Sequence, residues 1–177
     1  MERPQTYDLT SRVNHWIIAA VIIGMLGLGL FLEYGGLERE AKRPLIDIHK
    51  SIGVLVLAFG LWRVLWRVFQ GFPPIASTMP AWQETASKTI HWLLLAGILV
   101  MSVSGVLSSI FRGRAVDVFG WFTIPAQTEL PWLASLASST HDVVGKALAV
   151  IVIIHVAAAL KHHIQDADPT LRRMLTG

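Results

Sequence analysis

SSTHDVVGKALAVIVIIHVAAALKHH, residues 138–163, sets His141 and His155 fourteen positions apart inside a largely apolar run. Fourteen residues is close to four turns of α-helix, so both imidazoles fall on nearly one face, roughly 21 Å apart along the axis. That separation is about two-thirds of the ~30 Å hydrocarbon core of a bilayer. Such a helix carries one imidazole near each membrane surface. What stands opposite each of them decides how the rest of the chain is arranged.

The composition supports a bilayer setting. The 177 residues are 53% hydrophobic and only 15% charged, against about 25% charged in an ordinary soluble domain. Residues 16–32 and 92–110 contain no charge at all, which is too long a run for a soluble core. We expect an all-α membrane protein, one domain over residues 1–177, with transmembrane helices near 10–32, 45–69, 83–110 and 133–163 in an up-down-up-down bundle. No small-residue cleavage site follows the first apolar run, so that run reads as a retained helix. The absence of cysteine removes disulfides, iron–sulfur clusters, thiolate-ligated haem and covalent CxxCH haem attachment. The formal charge of +3 is modest and its basic residues are scattered through loops, so nothing points to nucleic acid.

Thr10 or Ser11 can cap the first helix, and Gly35-Gly36 ends it. Pro44 reads as a first-turn proline opening the second helix. That helix is the least apolar, with Asp47, His49 and Lys50 near its start and Arg63 and Arg67 in its last turns. Such a helix spans only if its ends snorkel or face protein and cofactor. Residues 71–80 form a proline-rich connection. Residues 112–132 form the longest loop, whose FGWF segment suits an interfacial belt or a lid.

The alternating topology gives each histidine a depth. His15 and His155 lie near the side that holds both termini, and His49 and His141 lie near the opposite side. Two imidazoles from facing helices at one level can bracket one iron, so these pairs suit two non-covalent, bis-histidine b-type haems. His91 shares the termini side and competes with His15. Each of the four has a small residue one turn on (Ala19, Gly53, Gly145, Ala159), whereas His91 has Leu95. A macrocycle lying against a helix needs that missing side chain, which favours His15. Ordinary histidines are the competing reading, but ionisable groups inside a membrane are costly and need a reason. Two ligands per level with no carboxylate beside them make a poor zinc site.

Lys50 and Lys146 at the far level, and Arg12 and Arg63 at the termini level, are candidates for haem propionates, with helix-end snorkelling as the competing reading. His91, His162 and His163 cluster on the termini side. They suit either lipid headgroups or a quinone pocket in which an imidazole donates to a carbonyl and delivers its proton.

Taken together, NHW at 14–16, RPLIDIHKSIGVLVLAFGLWRVLWR at 43–67, VFGWFTIP at 118–125, THDVVGKALAVIVIIHVAAALKHH at 140–163 and TLRRM at 170–174 resemble the bacterial cytochrome b-561 family of four-helix dihaem inner-membrane proteins. The resemblance covers nearly the whole chain. It implies His15, His49, His141 and His155 as axial ligands, and ubiquinone near the termini-side haem with His91 and His162 at the matching positions. One member type is a superoxide oxidase, a superoxide:ubiquinone oxidoreductase that takes electrons from superoxide in the periplasm. The FGWF loop and the TLRRM ending resemble a subgroup paired with a small periplasmic lipid-binding protein. The alternative is therefore a non-catalytic electron conduit for such a partner. Eight basic residues on the termini side against seven opposite favour cytoplasmic termini in a bacterial inner membrane. Seven acidic residues also fall on the far side, which leaves that face near neutral and gives an anionic substrate no overall attraction.

Overall fold

The computed structural model describes residues 7–71 and 80–176. Arg3 and the proline-rich connection at 72–79 lie outside the described residues. Four long helices dominate: α1 (Leu9–Tyr34), α2 (Arg39–Gln70), α3 (Ala81–Ile110) and α4 (Pro131–Ile164), followed by a short α5 (Thr170–Leu175). The shortest of the four long helices has 26 residues, about 39 Å at 1.5 Å per residue. Each is therefore long enough, and apolar enough, to cross a membrane. Their outward faces carry Ile17, Phe31, Phe59, Leu93, Ile153 and many other exposed apolar side chains, as lipid contact requires.

Local chemistry sets the ends. Asp8, not Thr10 or Ser11, caps α1: its Oδ1 accepts the Ser11 amide at 2.7 Å and its Oδ2 accepts the Ser11 hydroxyl at 2.9 Å. The capping side chain must reach an amide two or three positions ahead, and Asp8 is the one so placed. Partial burial works to raise the Asp8 carboxyl. The Ser11 amide and hydroxyl, with Arg67 nearby, outweigh it and hold the group below the usual carboxylate range. Helix α2 begins at Arg39, so Pro44 lies inside it and not in its first turn. A proline there removes the hydrogen bond to the Glu40 carbonyl and crowds that carbonyl with its ring, and Glu40 lies at the exposed start of the helix, where solvent can take the freed carbonyl.

The long loop, whose FGWF segment suits an interfacial belt or a lid, is built around a hairpin. Strands β1 (Val116–Val118) and β2 (Phe122–Ile124) pair antiparallel, with Val116 opposite Ile124 and Val118 opposite Phe122. Phe119 and Gly120 both take positive φ, 52° and 72°, as a type I′ turn requires. Asp117 secures it, its Oδ2 accepting the Gly120 amide at 2.8 Å and its Oδ1 the Thr123 hydroxyl at 3.2 Å. Val116 and Val118 are buried against Ile110, Val54 and Leu55, which fixes the hairpin to the far ends of α2 and α3.

The helices pack in chain order: α1 on α2, α2 on α3, and most extensively α3 on α4. Glycines let them approach, since a Cβ on Gly97 would stand 2.5 Å from Leu148 Cδ2, and one on Gly60 2.7 Å from Ile98. Ser11 ties the start of α1 to the end of α2, its Oγ accepting from Trp66 Nε1 at 3.1 Å and from Arg67 at 3.3 Å. Helices α1 and α4 share no comparable packing. The resulting slot is where the histidines of α1 and α2 look toward α4.

Candidate cofactor-binding site

Two imidazole pairs span this slot. His49 and His141 have ring centroids 6.1 Å apart, and His15 and His155 have theirs 6.3 Å apart. An imidazole–metal bond is about 2.0 Å and a ring nitrogen lies about 1.1 Å from its centroid, so two trans imidazoles on one metal stand roughly 6.3 Å apart. Both pairs have that spacing. His91 also approaches His155, at 5.5 Å, and so remains inside the termini-side cluster.

At the far level the polar contacts of His141 fall on one ring nitrogen. Its Nδ1 lies 2.9 Å from the Met101 carbonyl oxygen, an acceptor only, so Nδ1 carries the hydrogen and Nε2 keeps its lone pair. Ser104 Oγ stands 3.4 Å from the same nitrogen. Gly105, one turn beyond Met101, gives the ring its place: a Cβ there would sit 3.0 Å from His141 Cε1. His49 Nδ1 is buried with no hydrogen-bond partner among the described residues.

Between the two rings lies a cavity of about 310 Å³. Its walls are largely apolar, from Met25, Leu26, Val56, Val106 and Leu148, and Gly53 and Gly105 open it beside each histidine. Lys50, Arg112 and Arg114 supply its cationic side, with both arginines exposed at the mouth and no carboxylate in the wall among the described residues, Glu129 standing behind the turn at Gly113. This matches an apolar macrocycle that carries two carboxylates and needs two imidazoles. Arg112 and Arg114 were not singled out from the sequence. Their place follows from the hairpin, which swings the 112–114 turn over the cavity. Lys146 is not in this wall. It pairs outside with Asp142 at 2.7 Å and with Glu33 at 3.3 Å.

The termini level has the same spacing with different neighbours. Arg63 donates to Asn14 Oδ1 at 2.7 Å and stands 3.0 Å from His15 Nδ1. A guanidinium can only donate, so here Nδ1 accepts and Nε2 bears the proton. If His15 held a metal through Nε2, the proton would have to sit on Nδ1, and Arg63 would then have to leave this contact. His162 stands at the end of α4, its Nδ1 2.8 Å from Asp166 and 3.2 Å from Asp168, with neither approach linear enough for a full hydrogen bond. These three residues could in principle meet around a cation. Lys161, however, already fills the positive position at 2.7 Å from Asp166. His163 is exposed.

The sequence profile of prokaryotic cytochrome b561 matches residues 6–177. The chain belongs to the prokaryotic cytochrome b561 family. It is 35% identical over 178 residues to cytochrome b561 homolog 2 of Escherichia coli K12, covering 97% of this chain and 92% of the relative. It is 25% identical over 129 residues to cytochrome b561 homolog 1 of the same organism, 73% of each chain. A more distant relative, the probable superoxide oxidase CybB of Yersinia pestis, is 24% identical over 162 residues, 91% of this chain and 90% of that one. The protein is thus a membrane cytochrome of the b561 family, carrying b-type haem for transmembrane electron transfer.

Proposed function

We propose that this cytochrome holds two haems, one between His49 and His141 and one between His15 and His155, and passes electrons from a donor on the far side to quinone on the termini side. The pair spacings of 6.1 and 6.3 Å carry this reading. Bound haem supplies one-electron chemistry at each level. The chain's own residues do the rest. Met101 orients His141, and Lys50, Arg112 and Arg114 would hold the carboxylates of the far group. At the termini level Arg63, once released from His15, would be a cation able to turn to a carboxylate. His91 and His162 lie on the quinone side, where imidazole can donate to a quinone carbonyl. The orientation that goes with this puts both termini in the cytoplasm of a bacterial inner membrane and the hairpin in the periplasm.

The far-side donor that suits the cavity mouth is a small anion, and superoxide is the leading one. Two superoxide ions would give two O₂ and two electrons, which with two protons convert ubiquinone to ubiquinol. The near-zero net charge of that face is not uniform. Glu33 and Asp142 are paired with Lys146 away from the mouth, whereas Glu129 stands against Gly113 and Asp47 lies near Lys50. Lys50, Arg112 and Arg114 outnumber those two acids, so the mouth keeps only a small local excess of positive charge. A second reading, a conduit serving a periplasmic protein, is favoured by the hairpin tip, where Trp121 is 73% exposed beside exposed Phe119. Stopped-flow mixing of the oxidised protein with superoxide, with and without ubiquinone, separates the two. Fast haem reduction followed by quinone-dependent reoxidation is expected, and no fast phase leaves the conduit. A pyridine haemochrome value of one haem per chain would refute the paired arrangement.

A further inference from the structure

The geometry points to α5 as a clasp that holds the α1 and α4 walls of the termini-side slot at ligand-bridging distance, with Trp16 as its anchor on α1. This rests on reading His15 and His155 as a haem-bracketing pair. Metal–imidazole bonds tolerate only about ±0.2 Å, yet these two histidines come from helices that do not pack along one another. Something must fix the gap.

Helix α5 is fixed to α4 first. After the turn at Ala167, whose φ is 50°, the Asp168 amide donates to the His162 carbonyl at 3.0 Å. The buried Asp168 carboxylate then accepts the Thr170 amide at 2.8 Å, which sets the direction in which α5 leaves. At its other end α5 reaches α1. Trp16 Nε1 donates to the Met174 carbonyl at 3.0 Å, and an Arg12 guanidinium nitrogen donates to the Leu175 carbonyl at 3.3 Å. These are final-turn carbonyls, which have no partner inside their own helix and accept from whatever side chain is offered. The α1 residue that takes one of them stands next to the ligand itself, the Trp16 and His15 rings lying 5.3 Å apart edge to face. At the far end, α4 meets α1 through Lys146 and Glu33, an exposed pair that contributes little. Loss of the clasp therefore acts first on the termini-side pair, because α1 carries His15 itself, whereas it gives His49 and His141 only apolar wall residues such as Met25 and Leu26.

The test uses full-length, haem-loaded protein in detergent beside Trp16→Phe and a chain ending at Asp168. Haem per chain and the rate of haem transfer to apomyoglobin are measured for each. The His141→Ala protein, which keeps the termini-side haem alone, identifies which haem leaves. The shortened chain should release that haem roughly tenfold faster than the full-length protein, the scale of a lost supporting contact, with the other haem clearly less affected. Trp16→Phe keeps the ring and loses only the N–H, so it should accelerate the same haem in a fully assembled protein and decides the matter if the shortened chain fails to insert. Equal acceleration of both haems, or unchanged release in Trp16→Phe, overturns the clasp. Full-length protein holding a single haem instead overturns the paired reading beneath it.

Discussion

Replacing Gly105 by alanine tests whether the far-side imidazole sits where the structure places it. Two opposed effects can be weighed. Alanine in a helix interior is favoured over glycine by about 0.8–1 kcal/mol. The new Cβ, however, would stand 3.0 Å from His141 Cε1 and 3.1 Å from Nδ1, so the ring must give way by a few tenths of an ångström. Crowding of this kind costs about 1–3 kcal/mol. The ring can retreat only away from α3, and that stretches the 2.9 Å contact from Nδ1 to the Met101 carbonyl. Loss of such an orienting partner weakens metal affinity roughly 10–100-fold. We therefore expect Gly105→Ala to leave stability little changed while one haem is lost on dialysis or transferred to apomyoglobin at least roughly tenfold faster. Gly27→Ala is the control, since its Cβ would meet nothing within 4 Å. It should keep both haems and gain the helix-propensity term. A Gly105→Ala protein with wild-type haem content and transfer rate would refute the assigned ring position.

Replacing His141 or His49 by alanine should reduce the pyridine haemochrome value from two haems per chain to one; unchanged content would remove that residue from the ligand set. Exchanging Arg112 and Arg114 together for glutamine should weaken the far haem and slow superoxide-driven reduction with a loss of salt dependence, whereas Lys146→Gln, outside the cavity wall, should do neither. Asp8→Ala should cost about 1 kcal/mol through the lost cap, read as a lower unfolding temperature in detergent. Because the folded Asp8 value lies below its ordinary 3.8, the cap's contribution is complete above that pH and is lost as pH falls through the lower folded value. The difference between Asp8→Ala and wild type should accordingly shrink in acid and stay constant near neutrality; a difference that grows in acid would contradict the carboxylate cap. Arg63→Gln should hasten haem uptake at the His15 level, since one barrier to freeing Nδ1 is gone, and also hasten release of that haem, since a carboxylate partner is gone; unchanged uptake and release would remove Arg63 from both roles.

The four-helix membrane character was readable in the sequence because it depends on local quantities, the length of apolar runs and the helical period. The same period placed His141 and His155 on one face, and alternation of helix direction gave the partners by depth, so the candidate pairs needed no coordinates. Boundaries set by single capping contacts were less accessible. Asp8 takes the cap from Ser11, and α2 runs through Pro44 to begin at Arg39. The hairpin carried a signal in the alternation of VDVFGWFTI, but three-residue strands hold their shape only by burying Val116 and Val118 against distant helices.

Which residues can share a level in the bilayer is legible from the chain, since rise per residue and chain direction are properties of each helix alone. What stands around them needs the packed helices: Met101 and Gly105 on α3 behind His141, Arg112 and Arg114 at the cavity mouth in place of Lys146, Arg63 on His15, and α5 drawn across to Trp16. Those contacts depend on how the helices rotate and pack against one another. No period within a single helix encodes that rotation.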